Sequence, residues 1–130
     1  MTAKLLPCPC GGADYAACCG RYHNCMPTPD AAALMRSRYS AYALKLEAYV
    51  LATWHSDTRP AALGLAADNI KWTALEIKRH IPEADERATV EFVARYKIGG
   101  RAHRMHEVSR FVCEAGRWFY VDGEFIAPAQ

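Results

Sequence analysis

The amino end of the chain has no long apolar run: Met1 to Leu6 contains one lysine and two consecutive leucines before Pro7. A secretory leader needs an apolar core of about 7–15 residues, and a spanning helix needs about 20. Neither is expected, and a cytoplasmic location is the reading that follows. Charge of one sign is also scarce, since 16 Lys and Arg against 14 Asp and Glu leave a formal net charge of +2. That balance excludes the electrostatic footprint of a dedicated nucleic-acid binder. Internal repeats, low-complexity tracts and long charge runs are absent too, which excludes a repeat array or a charged tail.

What the chain does have is apolar material and clustered sulfur. Its 130 residues are 52% hydrophobic and 23% charged, enough for one domain with its own core and a small appended module. Four of the six cysteines fall within twelve residues, in Cys8-Pro9-Cys10-Gly11-Gly12 and Cys18-Cys19-Gly20. Sulfurs so spaced can converge on one ion at about 2.3 Å, and in a reducing compartment they point to metal rather than disulfides. Pro9 fixes a first turn, while Gly11 and Gly12 let the backbone fold back and aim N–H groups at sulfur. Tyr15 to Cys19 is expected to form a helical turn presenting the second pair. Four protein ligands leave no open coordination position, so the expectation is one structural Zn²⁺ held by Cys8, Cys10, Cys18 and Cys19. Zinc is favoured over other soft ions by geometry and availability. His23, four residues beyond Cys19, and Cys25 stay open as alternatives for one ligand, and Cys113 reads as a small core residue.

The cysteine-rich stretch, residues 1–26, is too short to build a core alone. Met26-Pro27-Thr28-Pro29-Asp30 links it to a second unit, residues 27–130, and Asp30 is placed to cap a helix. From Ala31 to His55, Met35, Tyr39, Tyr42, Leu46 and Tyr49/Val50 recur at helical steps, with a break near Glu47. Asp57-Thr58-Arg59-Pro60 predicts the start of another short helix ending near Asp68-Asn69. The period then becomes two: strands are expected over Ile70–Ile81, with a bulge near Trp72, then over Ala88–Ile98, Glu107–Cys113 and Arg117–Asp122. Gly99-Gly100 supplies one hairpin turn and Gly116 another. Helices followed by an antiparallel meander make an α+β fold with helices packed on one sheet face.

The segment Pro7 to Gly20 resembles the SEC-C motif, the zinc-binding motif at the carboxyl end of the SecA translocase. There Cys-x-Cys is followed after eight residues by Cys and then Cys or His; here only seven residues separate Cys10 from Cys18. Leu34-Met35-Arg36-Ser37-Arg38-Tyr39, Thr53-Trp54-His55, Phe92-Val93-Ala94-Arg95-Tyr96, Ser109-Arg110-Phe111 and Trp118-Phe119-Tyr120-Val121-Asp122-Gly123 extend the likeness. Together they resemble the bacterial YchJ-like family, which joins a SEC-C-type motif to a nuclear-transport-factor-2-like cone. The resemblance implies three helices against a curved four-stranded antiparallel sheet, with a small amino-terminal zinc knuckle. It also implies a capacity for protein contacts, because SEC-C motifs mediate such contacts in the translocase.

Cone folds of this kind enclose pockets in isomerases and dehydratases, so the interior of the cone is a candidate site. Glu107, Ser109, Phe111 and Cys113 share one strand face. Glu107, Ser109, Arg38, Tyr39 and His55 are the pocket candidates, with a Glu107–His55 pair as the acid–base possibility and structural polar bonding as its rival. Trp54 and Trp72 read as core anchors, and His103 and His106 as part of a solvated basic hairpin tip. The leading functional expectation is a zinc-binding accessory protein whose knuckle docks on an unidentified protein partner. The alternatives are a small-molecule-binding protein or isomerase- or hydrolase-like enzyme using the cone, and a knuckle that merely covers and stabilises the cone.

Overall fold

A computed structural model describes residues 6–126. Three helices, α1 (Cys19–His23), α2 (Ala31–Ala43) and α3 (Glu47–Ala52), precede four strands, β1 (Ile70–Glu83), β2 (Arg87–Ile98), β3 (Arg101–Glu114) and β4 (Arg117–Phe125). The strands pair antiparallel in the order β1-β2-β3-β4. The YchJ-like expectation of three helices on a four-stranded meander is met.

Asp30 starts α2 as its sequence suggests: its carboxylate accepts a 2.7 Å hydrogen bond from the Ala33 amide. The helix stops at Lys45, whose φ of 59° lies in the left-handed region, and the Leu46 amide reaches back to the Ala41 carbonyl at 2.8 Å. That pattern closes a helix and turns the chain into α3. No α-helix forms after Pro60. The segment instead runs as a loop to a 3-10 turn, Leu65–Ala67, entered through Gly64 at φ 71°. The Glu47 carboxylate holds it, accepting from the amides of Leu65 at 2.8 Å and Leu63 at 3.3 Å. A side chain from α3 thus orders, as a loop, a segment whose local sequence predicts helix.

Gly99 and Gly100 both have positive φ in the β2–β3 turn, as do Ala115 and Gly116 in the β3–β4 turn, the requirement of tight hairpins that follow the strand twist. β1 carries two irregularities, between Trp72 and Ala74 and between Ile77 and Arg79, and β3–β4 carries one between Arg110 and Phe111. Each inserts an unopposed residue, and such bulges bend a sheet. The concave face receives α2: Leu34, Met35 and Tyr39 pack with Val90, Phe92, Ala94 and Phe111 in the main core. A smaller cluster of Ala41, Val50 and Leu65 sits beneath the loop. Residues 53–55 lie along β4, joined by bonds from the Tyr120 amide to the Thr53 carbonyl and from the His55 amide to the Tyr120 carbonyl.

Candidate metal centre and a polar cavity

The cysteine segment folds back on itself through its backbone. The Cys8 amide donates to the Gly12 carbonyl at 2.9 Å, and the Gly11 amide donates to the Cys8 carbonyl at 3.0 Å. A side chain at Gly12 would put its Cβ 2.7 Å from Cys18 Sγ, so the glycine is what lets sulfur come close. The chain then enters a 3-10 turn, Tyr15–Ala17, capped by Asp14, and passes through Cys18 into α1 at Cys19. Of the seven residues between Cys10 and Cys18, three form this turn.

All four sulfurs of Cys8, Cys10, Cys18 and Cys19 lie within 4.8 Å of one another, with Cys10 and Cys18 at 3.5 Å. A sulfur tetrahedron with arms of about 2.3 Å has edges near 3.8 Å, so the donor set fits a four-coordinate soft ion. Cys10 is lowered to about 5, chiefly by a hydrogen bond from Cys19; the same bond pushes Cys19 up, while burial pushes Cys18 up to about 11. One thiolate shared among thiol protons is the charge pattern a bound cation would take over, displacing those protons.

His23 is committed elsewhere. Its Nε2 lies 2.8 Å from the Ser37 carbonyl and must donate to it, which leaves Nδ1 to accept from the Tyr15 hydroxyl at 2.5 Å. Burial holds its pKa below the usual histidine value, consistent with a neutral ring. With both nitrogens occupied, His23 ties the 3-10 turn to α2 and stands outside the sulfur cluster. Cys25 is exposed and also outside it. The knuckle rests directly on α2: Cys8 Sγ is 3.4 Å from Ser40 Oγ, and Cys10 packs against the main core.

A second site lies between α2 and the concave sheet face, a cavity of about 310 Å³. Arg38 from α2 and Glu107 and Ser109 from β3 line it, together with the rings of Tyr39, Tyr42, Trp54, Trp72 and Tyr120. Arg38 is 3% exposed; its Nη1 donates to the Val50 carbonyl and Thr53 Oγ1, both at 2.8 Å. Its guanidinium lies 4.6 Å from the Tyr120 ring centre and 5.1 Å from that of Trp54. Ser109 Oγ donates a short hydrogen bond to Glu107, yet burial still raises the carboxyl above its ordinary pKa. Gly123, opposite Ser109, makes room for this carboxyl: a Cβ there would meet Glu107 Oε2 at 2.7 Å.

The model of the YchJ middle NTF2-like domain matches residues 30–123. The chain belongs to the YchJ-like family. A UPF0225 protein of Chromobacterium violaceum is 61% identical, covering 89% of this chain and 90% of its own. One from Methylibium petroleiphilum is 53% identical, over 95% and 91%. Among solved structures, the chain is similar to a SEC-C motif containing protein from Rhodopseudomonas palustris, at 32% identity and a TM-score of 0.82, covering 94% of this chain and 100% of that one. Another, from Psychrobacter arcticus, gives 26% identity and a TM-score of 0.77 over 95% and 85%.

In this YchJ-like chain the pocket candidates divide. Arg38, Tyr39, Glu107 and Ser109 share the cavity, but His55 does not line it. Its Nε2 lies 3.0 Å from Glu114 Oε2, because residues 53–55 follow β4 and carry the ring to the strand's far end. The Glu107–His55 acid–base pair is therefore not assembled. His106 also departs from expectation: a carboxylate does converge on it, with Glu91 Oε2 at 2.7 Å from Nε2 across the β2–β3 ladder. Trp54 and Trp72 are half-buried cavity walls as well as anchors. Sequence reasoning missed Tyr42, Tyr120 and Gly123. The stripe through Tyr39 and Tyr42 and the alternation Trp118-Tyr120 were signals for the two rings; the pairing of Gly123 with Ser109 had none. Among the described residues, no helix is long and apolar enough to cross a membrane.

Proposed function

We propose that Cys8, Cys10, Cys18 and Cys19 hold one structural Zn²⁺, and that the protein is a cytoplasmic accessory factor whose zinc-fixed knuckle contacts a protein partner. The observation that carries this reading is the convergence of four sulfurs within 4.8 Å, two of them buried against the cone. A bound zinc would supply charge neutralisation and a cross-link, with no open position for substrate. The fixed segment leaves Leu6, Ala16, Ala17 and Arg21 exposed as a small rigid surface. Native mass spectrometry of protein prepared under reducing, metal-replete conditions should find one zinc per chain; a substoichiometric value would overturn the metal assignment. Leu6→Glu with Ala17→Glu leaves the ligands in place and alters that surface. Cross-linking in cells should lose partners with this variant, and an unchanged partner profile would refute docking through the knuckle.

A further inference from the structure

We propose that the cavity between α2 and the concave sheet face is a binding site for a small organic carboxylate with an apolar, aromatic or aliphatic, body. This stands apart from the zinc reading, since none of the four cysteines lines the cavity.

The argument starts from Arg38. A guanidinium stays charged under all ordinary conditions, and a buried charge is costly unless it is paired. Among the described residues Arg38 forms no ion pair within 4.0 Å, and both of its hydrogen bonds leave from Nη1. Its remaining N–H groups form the planar fork that matches a carboxylate. The rings of Trp54 and Tyr120 fix the plane of that fork.

The nearby acid does not reverse the sign of the site. Glu107 shares the cavity, but its carboxyl accepts the Ser109 hydroxyl and forms no ion pair with Arg38 within 4.0 Å. The Glu107 carboxyl is held by Ser109 and not by the guanidinium, so the free N–H groups of Arg38 stay open to an incoming carboxylate. The aromatic walls alone would also suit an ammonium ion, but Arg38 would repel it. A third polar group is unsatisfied: Tyr39, 3% exposed and lining the cavity, has a hydroxyl with no hydrogen-bond partner among the described residues.

The rest of the lining selects the ligand's body. Met35, Phe92, Ala94 and Met105 join the rings, so most of the lining away from Arg38, Glu107, Ser109 and the Tyr39 hydroxyl is apolar. At about 310 Å³ the space is roughly twice the ~150 Å³ cavity that admits benzene. One or two rings, or a medium-length alkyl chain, would fill it. Phe125, 73% exposed, stands at its lining as the only exposed Phe, Tyr or Trp ring among the described residues.

Isothermal titration calorimetry on the full zinc-loaded chain tests this with 2-naphthoate, phenylacetate and octanoate, each beside its primary amide. At least one carboxylate should bind, at least tenfold tighter than its amide. Arg38→Lys should remove most of that preference. Because this change touches a buried hydrogen-bonded group, Ala94→Leu serves as an independent block: it fills the cavity floor without altering any polar group and should reduce carboxylate binding tenfold or more. Equal binding of acid and amide would overturn the proposal, as would carboxylate binding unaffected by Ala94→Leu. So would tighter binding of 2-naphthyltrimethylammonium, or no heat from any of the three acids.

Discussion

The sulfur cluster and the Arg38 cavity are both buried polar assemblies resting on α2, but they are satisfied in opposite ways. The cluster draws its four sulfurs from twelve consecutive residues and closes on itself. The cavity takes Arg38 from α2, Glu107 and Ser109 from β3 and Tyr120 from β4, and leaves donors without acceptors. A group of four like ligands is complete when one ion arrives. A cation and a free hydroxyl from a helix and an acid from a strand are complete only when something of matching shape arrives. Closure marks structure, and incompleteness marks recognition.

The largest test of this contrast is removal of metal. Structural zinc contributes on the order of 10 kcal/mol in small sites, and about 1 kcal/mol shifts the midpoint of a domain this size by a few degrees. Chelation, or Cys19→Ser, should therefore lower the melting midpoint of the whole chain by at least about 10 °C, followed by near-UV circular dichroism of the Trp54 and Trp72 region. A cone that melts unchanged would show that the cluster is an appendage. Next comes Gly123→Ala, which drives a methyl into the Glu107 carboxyl; urea denaturation should show a loss of about 1–3 kcal/mol. His23→Ala is expected to cost about 1–2 kcal/mol by orphaning the Tyr15 hydroxyl and freeing the Ser37 carbonyl. Its zinc content should stay at one per chain, and a fall would make His23 a ligand. The smallest effect is a slope. Burial raises the Glu107 pKa in the folded state, so its protonated form contributes stability below the unfolded carboxyl pKa, and that contribution fades as pH rises through the folded value. Glu107→Gln should remove this decline, so the stability difference between variant and wild type should shift towards the variant as pH rises from about 4 towards neutrality.

Legibility followed the same division. Cys8, Cys10, Cys18 and Cys19 could be grouped from spacing because they are neighbours in the chain, and Asp30, Gly99-Gly100 and the Trp72 bulge were visible because caps, turns and alternation are local. The failures lie where distant segments decide. Pro60 reads as a helix start, but Glu47 captures the amides of Leu63 and Leu65 and holds the loop open. Nothing local separates His55 from Glu107 in the sequence, whereas the backbone bonds to Tyr120 carry it to Glu114. His23 could not be separated from the ligands by spacing alone, since what occupies its nitrogens is a carbonyl fourteen residues away and the hydroxyl of Tyr15.

The contact of Cys8 with Ser40 bears on how such a protein could have been assembled over evolution. Ser37 and Ser40 are fully buried, and they meet the knuckle through His23 and Cys8. A motif seated in this manner depends on the helix beneath it. Fused alone to a foreign chain, it would carry its ligands but leave apolar sulfur faces bare. Recombination would have to move this face of α2 along with the cysteines, or the recipient helix would need a small hydroxyl under Cys8 and an accessible backbone carbonyl for His23.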